Sequence, residues 1–413
     1  MSKNEPNGCG CTSIPLSVIL LFMGGGYWLY NSQYKDFLIS QSIVLFKETI
    51  SLAKQIPIPA EVEKYIPEVF LKTTITATTP PVATNPTNQP TKSTPVKPVV
   101  PSKKPSVQSS RSSPSSLNKA WQNKAMRGIY LSRYAITNNA SEESIRSQVR
   151  YFRSQGINTI IHGVWGNACT MYKSQVMQKT FGYASCPNLF QDNWLNWLID
   201  EANKQGMQVH AYFEKGIKID ENSPIFDLAV QRRWIVAGVD RTHPGVDHYV
   251  LDVEIPEVAE FFKNILVEFV QKYPKIDAVQ WDDYLGYYAQ LPGKVDRTAS
   301  LTKFVKNMIS QMKKANPTVK FDICHHNPYW SKEYFAADWQ NWNVDRVFIQ
   351  VYNENNFQQE LEYVKQYDGI AITERQFHHL ANLVKNPQIK SIFIFPLSGK
   401  PKETATQVKN LMR

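Results

Sequence analysis

From Trp121 to the C-terminus, short apolar runs and amphipathic stretches alternate eight times, and nothing else in the chain restricts its fold as much. Runs of four to eight apolar residues bounded by turn signals read as strands, and apolar positions at a 3.6-residue period read as helices. The predicted strands are Arg127–Arg133, Asn158–Trp165, Gln208–Glu214, Ala278–Tyr284, Lys320–His326, Arg346–Tyr352, Gly369–Glu374 and Ser391–Leu397. Helical patterns fall between them, among them Glu142–Ser154, Trp194–Gln205, Val258–Tyr273 and Thr302–Ala315. Ser141 is placed to cap the first of these, and Gly156 and Gly206 stand just past helix ends. Eight βα units predict an α/β fold, a (β/α)8 TIM barrel over residues 119–413, rather than an open sheet. No glycine-rich dinucleotide fingerprint follows the first strand.

The first 118 residues are of another kind. Residues 1–12 form a short tail, and residues 13–30 carry no charge and are long enough for a marginal membrane span. No small-x-small cleavage site follows, and Tyr27, Trp28 and Tyr30 resemble an interfacial belt, so an uncleaved anchor is preferred to a cleaved signal peptide. Residues 31–71 predict a short juxtamembrane helical region. Of the chain's 25 prolines many crowd into residues 57–114, and residues 72–118 are rich in Pro, Thr, Ser and Lys. Such a segment buries too little apolar surface to order itself and predicts a disordered linker. Extended at ~3.1 Å per residue, about 45 residues would reach roughly 140 Å. The net charge of +10 is uneven, with six basic and no acidic residues from Lys72 to Arg111. No nucleic-acid motif accompanies that charge, so it reads as a solvated linker rather than a polyanion-binding tail. The expected layout is a membrane-anchored chain whose barrel lies in the periplasm or otherwise outside the cytoplasm. Cys9 and Cys11 precede the apolar segment, Cys324 lies in an apolar strand, and Cys169 and Cys186 either form a loop-closing disulfide or remain paired thiols.

In a barrel of this kind the C-terminal strand ends face the active site. Strand alternation places Gln280 and Asp282 on the inner face of Ala278–Tyr284, opposite Val279 and Trp281, with Asp283 at the strand exit. His210, Tyr212 and Glu214 share the inner face of the preceding strand. Two adjacent carboxylates at a strand end are costly without a task. Glycoside hydrolysis needs a pair of carboxyl groups across the scissile bond, one to protonate the leaving oxygen and one to attack or activate water. Asp282 is accordingly read as nucleophile or general base, Glu214 as provisional general acid, and Asp283 as a tuning or orienting group. The competing readings are that the aspartates cap the next segment and that Glu214 forms a structural salt bridge.

Other polar residues near strand ends include Arg133, His325, His326, Gln350, Tyr352 and Glu374. A metal reading of His210, His325 and His326 beside the aspartates is disfavoured, because adjacent residues of a strand point to opposite faces and no HExxH-like spacing occurs. No cofactor is expected. His210, Tyr212, His326, Gln350, Tyr352 and Glu374 are instead assigned to sugar hydroxyls. Each tryptophan taken singly reads as core sooner than as a sugar platform, with Trp165 and Trp330 the better candidates for stacking on sugar faces.

Arg127-Gly-Ile-Tyr-Leu, Asn158-Thr-Ile-Ile-His-Gly-Val-Trp165, Met171-Tyr-Lys-Ser174, Val209-His-Ala-Tyr-Phe-Glu214 and Val279-Gln-Trp-Asp-Asp-Tyr284 together resemble the glycosyl hydrolase-like 10 family, in the family's order. The likeness runs over roughly residues 126–397. It implies a TIM-barrel glycoside hydrolase of the bacterial envelope or secreted, among whose relatives are enzymes cutting peptidoglycan glycan strands after peptide removal. It also implies Asp282, Asp283 and Glu214 as active-site positions. The chain departs from the family in carrying Tyr212 where Trp is common, and the segments Cys169–Cys186 and Arg232–His248 look particular to this branch. The sixth strand ends Gln350-Val-Tyr352 without a carboxylate, which leaves Glu354 or Glu374 as alternatives to Glu214. The expected function is hydrolysis of O-glycosidic bonds in an envelope polysaccharide. The alternatives are a non-catalytic glycan-binding module joining membrane to wall, and metal-dependent removal of a glycan substituent.

Overall fold

A computed structural model describes residues 114–413 except 134–138, 188, 243–245 and 293–295. The expected anchor, juxtamembrane region and most of the linker lie outside the described residues. No helix among the described residues is long and apolar enough to cross a membrane.

The eight predicted strands form, as β1 (Arg127–Leu131), β2 (Thr159–Gly166), β3 (Gln208–Phe213), β4 (Ala278–Asp282), β5 (Lys320–His325), β6 (Arg346–Gln350), β7 (Gly369–Thr373) and β8 (Ile392–Phe395). All pair in parallel with their sequence neighbours, and β1 pairs with β8 as well as with β2, which closes the barrel. Alternation sorts the side chains into two layers. Tyr130, Ile161, Tyr212, Cys324, Phe348, Ala371 and Phe393 fill the interior. Val209, Phe213, Val279, Trp281 and Ile323 point outward into the layer beneath the helices. There the Trp281 ring stacks on Phe213 at 4.6 Å between centroids. Full burial of each such side chain stabilises by about 1.5–3 kcal/mol.

The surrounding helices are α1 (Glu142–Ser154), α2 (Trp194–Lys204), α3 (Pro256–Lys272), α4 (Arg297–Ala315), α5 (Pro328–Phe335), α6 (Phe357–Val364), α7 (Leu380–Lys385) and α8 (Pro401–Leu411). Ser141 caps α1 through the Ser144 N–H, as its position predicts. Gly156 and Gly206 both take positive φ just past α1 and α2. Two helices start earlier than their apolar pattern suggests, for local reasons. Pro256 opens α3 at the position where a missing N–H costs nothing. Asp296 caps α4 by accepting from the Ala299 N–H. A further helix, Pro114–Gln122, overlaps the end of the stretch read as linker and packs against α7.

Two insertions rise above the C-terminal end of the barrel. After β2, the short strand Cys169–Thr170 folds back antiparallel on Trp165–Gly166, and Cys169 is bridged to Cys186. After β3, Lys218–Ile219 pairs antiparallel with Tyr249–Val250. Cys324 is free and buried inside the barrel.

Candidate active site

The carboxylates of β4 sit where alternation puts them, at the mouth. Asp282 is buried and accepts a hydrogen bond at Oδ2 from the Tyr212 hydroxyl of β3 and one at Oδ1 from the Tyr284 N–H. Asp283, whose side chain is 18% exposed, turns toward β5 and β6. Gln350 Nε2 donates to its Oδ1 at 3.3 Å, and His326 Nε2 lies 3.9 Å from its Oδ2. Residues adjacent in sequence thus engage opposite sides of the mouth.

Their protonation differs accordingly. Burial, then the neighbouring Asp283 charge, push the Asp282 carboxyl up to about 8 against the two hydrogen bonds it receives. Burial also acts to raise Asp283, but His326, His325, Lys218 and the Gln350 amide outweigh it and hold Asp283 below the ordinary carboxylate range. The proton shared by this pair therefore belongs on Asp282 at neutral pH. His326 is itself raised, because Glu360 and Asp283 overcome the opposing effect of burial. Glu360 in α6 is buried and accepts three hydrogen bonds, from His326 Nδ1 at 3.0 Å, the Asn327 N–H at 2.9 Å and Asn327 Nδ2 at 3.0 Å.

Glu214 stands one residue beyond β3. It accepts from the Arg133 N–H at 3.2 Å, with the Arg133 guanidinium 3.9 Å away. Gly163 makes room for this contact: a Cβ there would stand 2.5 Å from the Arg133 nitrogen and 2.8 Å from Glu214 Oε2. Glu214 lines a cavity of about 310 Å³ together with Tyr130, Ser132, Tyr212, Phe395 and Pro401. That volume and its mixed aromatic and polar wall suit a small polar ring. Tyr212 connects the cavity to Asp282, and burial followed by the Asp282 and Glu214 charges raises its hydroxyl well above the usual tyrosine value.

The structure thus brings Asp282, Asp283, Glu214, Tyr212, His326 and Gln350 together. Tyr352 is half-buried, with its ring centroid 6.0 Å from that of Phe395. Three predicted site residues take other places. His210 points inward but sits deeper, fully buried beside Asp322 at 3.6 Å and Arg346 at 3.3 Å. Its register partner is Ala278, four residues below Asp282. Trp165 is not a platform in the mouth: the register of β2 slips between Gly163 and Trp165, and this bulge turns the ring outward against Phe261 and Phe262 of α3. Its Nε1 donates to the Gly216 carbonyl. Glu374 is committed to the loop after β8, accepting from the Leu397 N–H and the Ser398 and Thr404 hydroxyls. Glu354, the other alternative carboxylate, binds His378 and His379.

Several participants escape sequence reasoning. Glu360 resembles any helix-surface acid until the fold carries it to His326. Lys218 is buried against Asp240 at 2.8 Å, its ammonium 4.9 Å from the centre of the Tyr284 ring, and it adds positive charge near both aspartates. The exposed rings of Tyr329 and Tyr334 flank half-buried Trp330, whose ring lies 6.1 Å from His326.

Residues 125–299 match the family described as Glycosyl hydrolase-like 10. A curated relative, Glycosyl hydrolase DigH of Escherichia coli (strain K12), is 29% identical over 41% of this chain and 43% of its own length. The chain therefore spans less than half of that relative. Among solved structures, a glycoside hydrolase family 20 beta-N-acetylglucosaminidase overlaps 70% of each chain at 8% identity and a TM-score of 0.45. The GH36 alpha-galactosidase AgaA of Geobacillus stearothermophilus overlaps 72% of this chain and 44% of its own at 12% identity and a TM-score of 0.42. Likenesses that distant carry no information about substrate.

Proposed function

With residues 125–299 belonging to the glycosyl hydrolase-like 10 family, we propose that this chain hydrolyses O-glycosidic bonds of an envelope polysaccharide, with peptide-free peptidoglycan strands as the foremost substrate. The observation that carries the reading is the split in protonation across the mouth. A buried carboxyl raised to about 8 sits beside an ionised carboxylate, and a further carboxylate faces an aromatic cavity one strand away. Glycoside hydrolysis requires a protonated acid for the leaving oxygen and an ionised partner for the anomeric carbon or for water.

This pattern reverses the roles that sequence position suggests. Asp282 serves as general acid, because Asp283 raises its proton affinity and Tyr212 fixes its orientation. Glu214, seated on the Arg133 N–H and open to the cavity, serves as nucleophile or general base. Asp283 stays charged through His326, which Glu360 in turn holds in place. The sugar ring rests between Tyr212, Tyr130 and Phe395, and Trp330 with Tyr329 and Tyr334 extends the contact along the strand. No step in this scheme draws on a metal or cofactor.

An anchor at residues 13–30 and a tether over residues 72–118 would hold the barrel outside the cytoplasm within reach of wall glycan. The Cys169–Cys186 bridge accords with such an oxidising location. The test is release of reducing ends from peptide-free glycan strands and a panel of envelope polysaccharides by the full chain and its Asp282→Asn and Glu214→Gln variants. Hydrolysis by wild type, reduced at least ~10³-fold in Asp282→Asn with glycan binding retained, is the expected outcome. Binding by all three proteins with no release from any glycan would leave a wall-tethering module as the better account.

A further inference from the structure

Outside the reacting groups, the rim of the barrel mouth carries a second cluster with its own chemistry. Glu354 stands in the short 3-10 turn Glu354–Asn356 that follows β6. His378 and His379 lie in the turn between the 3-10 segment Glu374–Gln376 and α7. Side chains of adjacent residues diverge in a strand, but this turn is helical and brings the two imidazoles to 4.0 Å between ring centroids. Both Nε2 atoms converge on one atom, Glu354 Oε1, at 3.2 Å from His378 and 2.5 Å from His379. One ligand atom from each of the three residues lies within 4.8 Å of the others.

We propose that Glu354, His378 and His379 form a binding site for a divalent transition-metal ion, Zn²⁺ in the first place, that ties the loop after β6 to the loop after β7. Two imidazoles and one carboxylate are a donor set for zinc rather than for calcium or magnesium, which take oxygen ligands. With metal–ligand bonds of about 2.0–2.1 Å, the donor atoms of a tetrahedral site stand roughly 3.3 Å apart. The His378 contact already has that length, and the His379 contact needs to open by less than an ångström.

The site is also held in shape from below. The His379 ring stacks on buried Phe357 at 4.1 Å between centroids and 25° between planes, which fixes its orientation. Gln376 Nε2 donates to the Tyr352 carbonyl at 3.0 Å, so the two loops that supply the ligands are joined independently of any ion. Glu354 and His378 are exposed, which leaves a coordination position open to water or to a donor atom of a bound glycan. Asp282, Asp283 and Glu214 are not among the ligands, so the ion would organise the rim and leave the proposed acid and base as they are. The histidines that invite a metal reading from sequence, His210, His325 and His326, are different ones.

Isothermal titration of the tag-free full chain with Zn²⁺ tests the site. Cys9→Ser and Cys11→Ser are carried in every sample so that N-terminal thiols do not compete. One saturable site is expected, weakened at least tenfold in each of Glu354→Gln, His378→Ala and His379→Ala. Absence of saturable uptake, or a loss of less than tenfold in any of the three, would overturn the proposal.

Discussion

Asp282 and Glu360 are both buried carboxyls, yet they stand in opposite circumstances. Glu360 receives three hydrogen bonds and touches a histidine raised by its charge, whereas Asp282 lies beside another aspartate. For Asp282 the sign of the pH effect follows directly. Folding raises its pKa from roughly 3.9 in the unfolded chain to about 8. Between those values the folded state binds more protons than the unfolded state, so this group's contribution to stability declines as pH rises through that window. Asp282→Asn, which cannot ionise, is predicted to stabilise the protein by about 1–2 kcal/mol at pH 8 and by almost nothing at pH 4. Urea unfolding at the two pH values measures it, and a destabilised variant at pH 8 would contradict the assignment. Glu360→Ala should behave in the other direction. It strands the Asn327 donors and removes the anion that holds His326, at a cost of about 3–5 kcal/mol. Glu360→Gln, which keeps the volume and part of the hydrogen bonding, should cost less in the same unfolding experiment.

At the scale of elements, β2 shows what alternation conveys and where it fails. Period-two reading places Tyr212, Gln280 and Asp282 inward and Trp281 outward, and the barrel has them so. The same reading carried past Gly163 points Trp165 into the mouth, and a single bulge reverses it. A register slip leaves no trace in composition, because it depends on the neighbouring strand. Gly163 is equally silent as a site residue, although its bare Cα is what lets Glu214 reach the Arg133 N–H. Gly163→Ala is therefore expected to displace the Glu214 carboxylate. It should lower kcat/KM by about 10²-fold while destabilising by roughly 1–3 kcal/mol. Steady-state kinetics beside thermal unfolding separates the two effects; unchanged kcat/KM would remove Glu214 from the reaction.

For the molecule as a whole, eight strand patterns in sequence order are enough to predict a closed parallel barrel, since each βα unit can bury its apolar face only against its neighbours. The strand ends likewise locate the mouth. What stays hidden in sequence is the pairing of partners far apart in the chain: Glu360 and His326, Arg133 and Glu214, Lys218 and Asp240. Burial beside Asp283 raises Asp282, and the His326 and Lys218 charges brought up by the first and last of these contacts hold Asp283 down, which is why the proposed roles of Asp282 and Glu214 differ from those read in sequence. Mouth residues also answer to charges set by several strands and loops at once, so no single segment of sequence encodes them.

The pH dependence of kcat/KM on a cleaved glycan tests that exchange of roles most directly. If buried Asp282 is the proton donor, activity falls as pH rises through about 8. In Asp283→Asn the falling limb moves to lower pH, because the adjacent negative charge no longer raises the acid. A limb that stays in place in that variant, or full activity well above pH 8, would contradict the account.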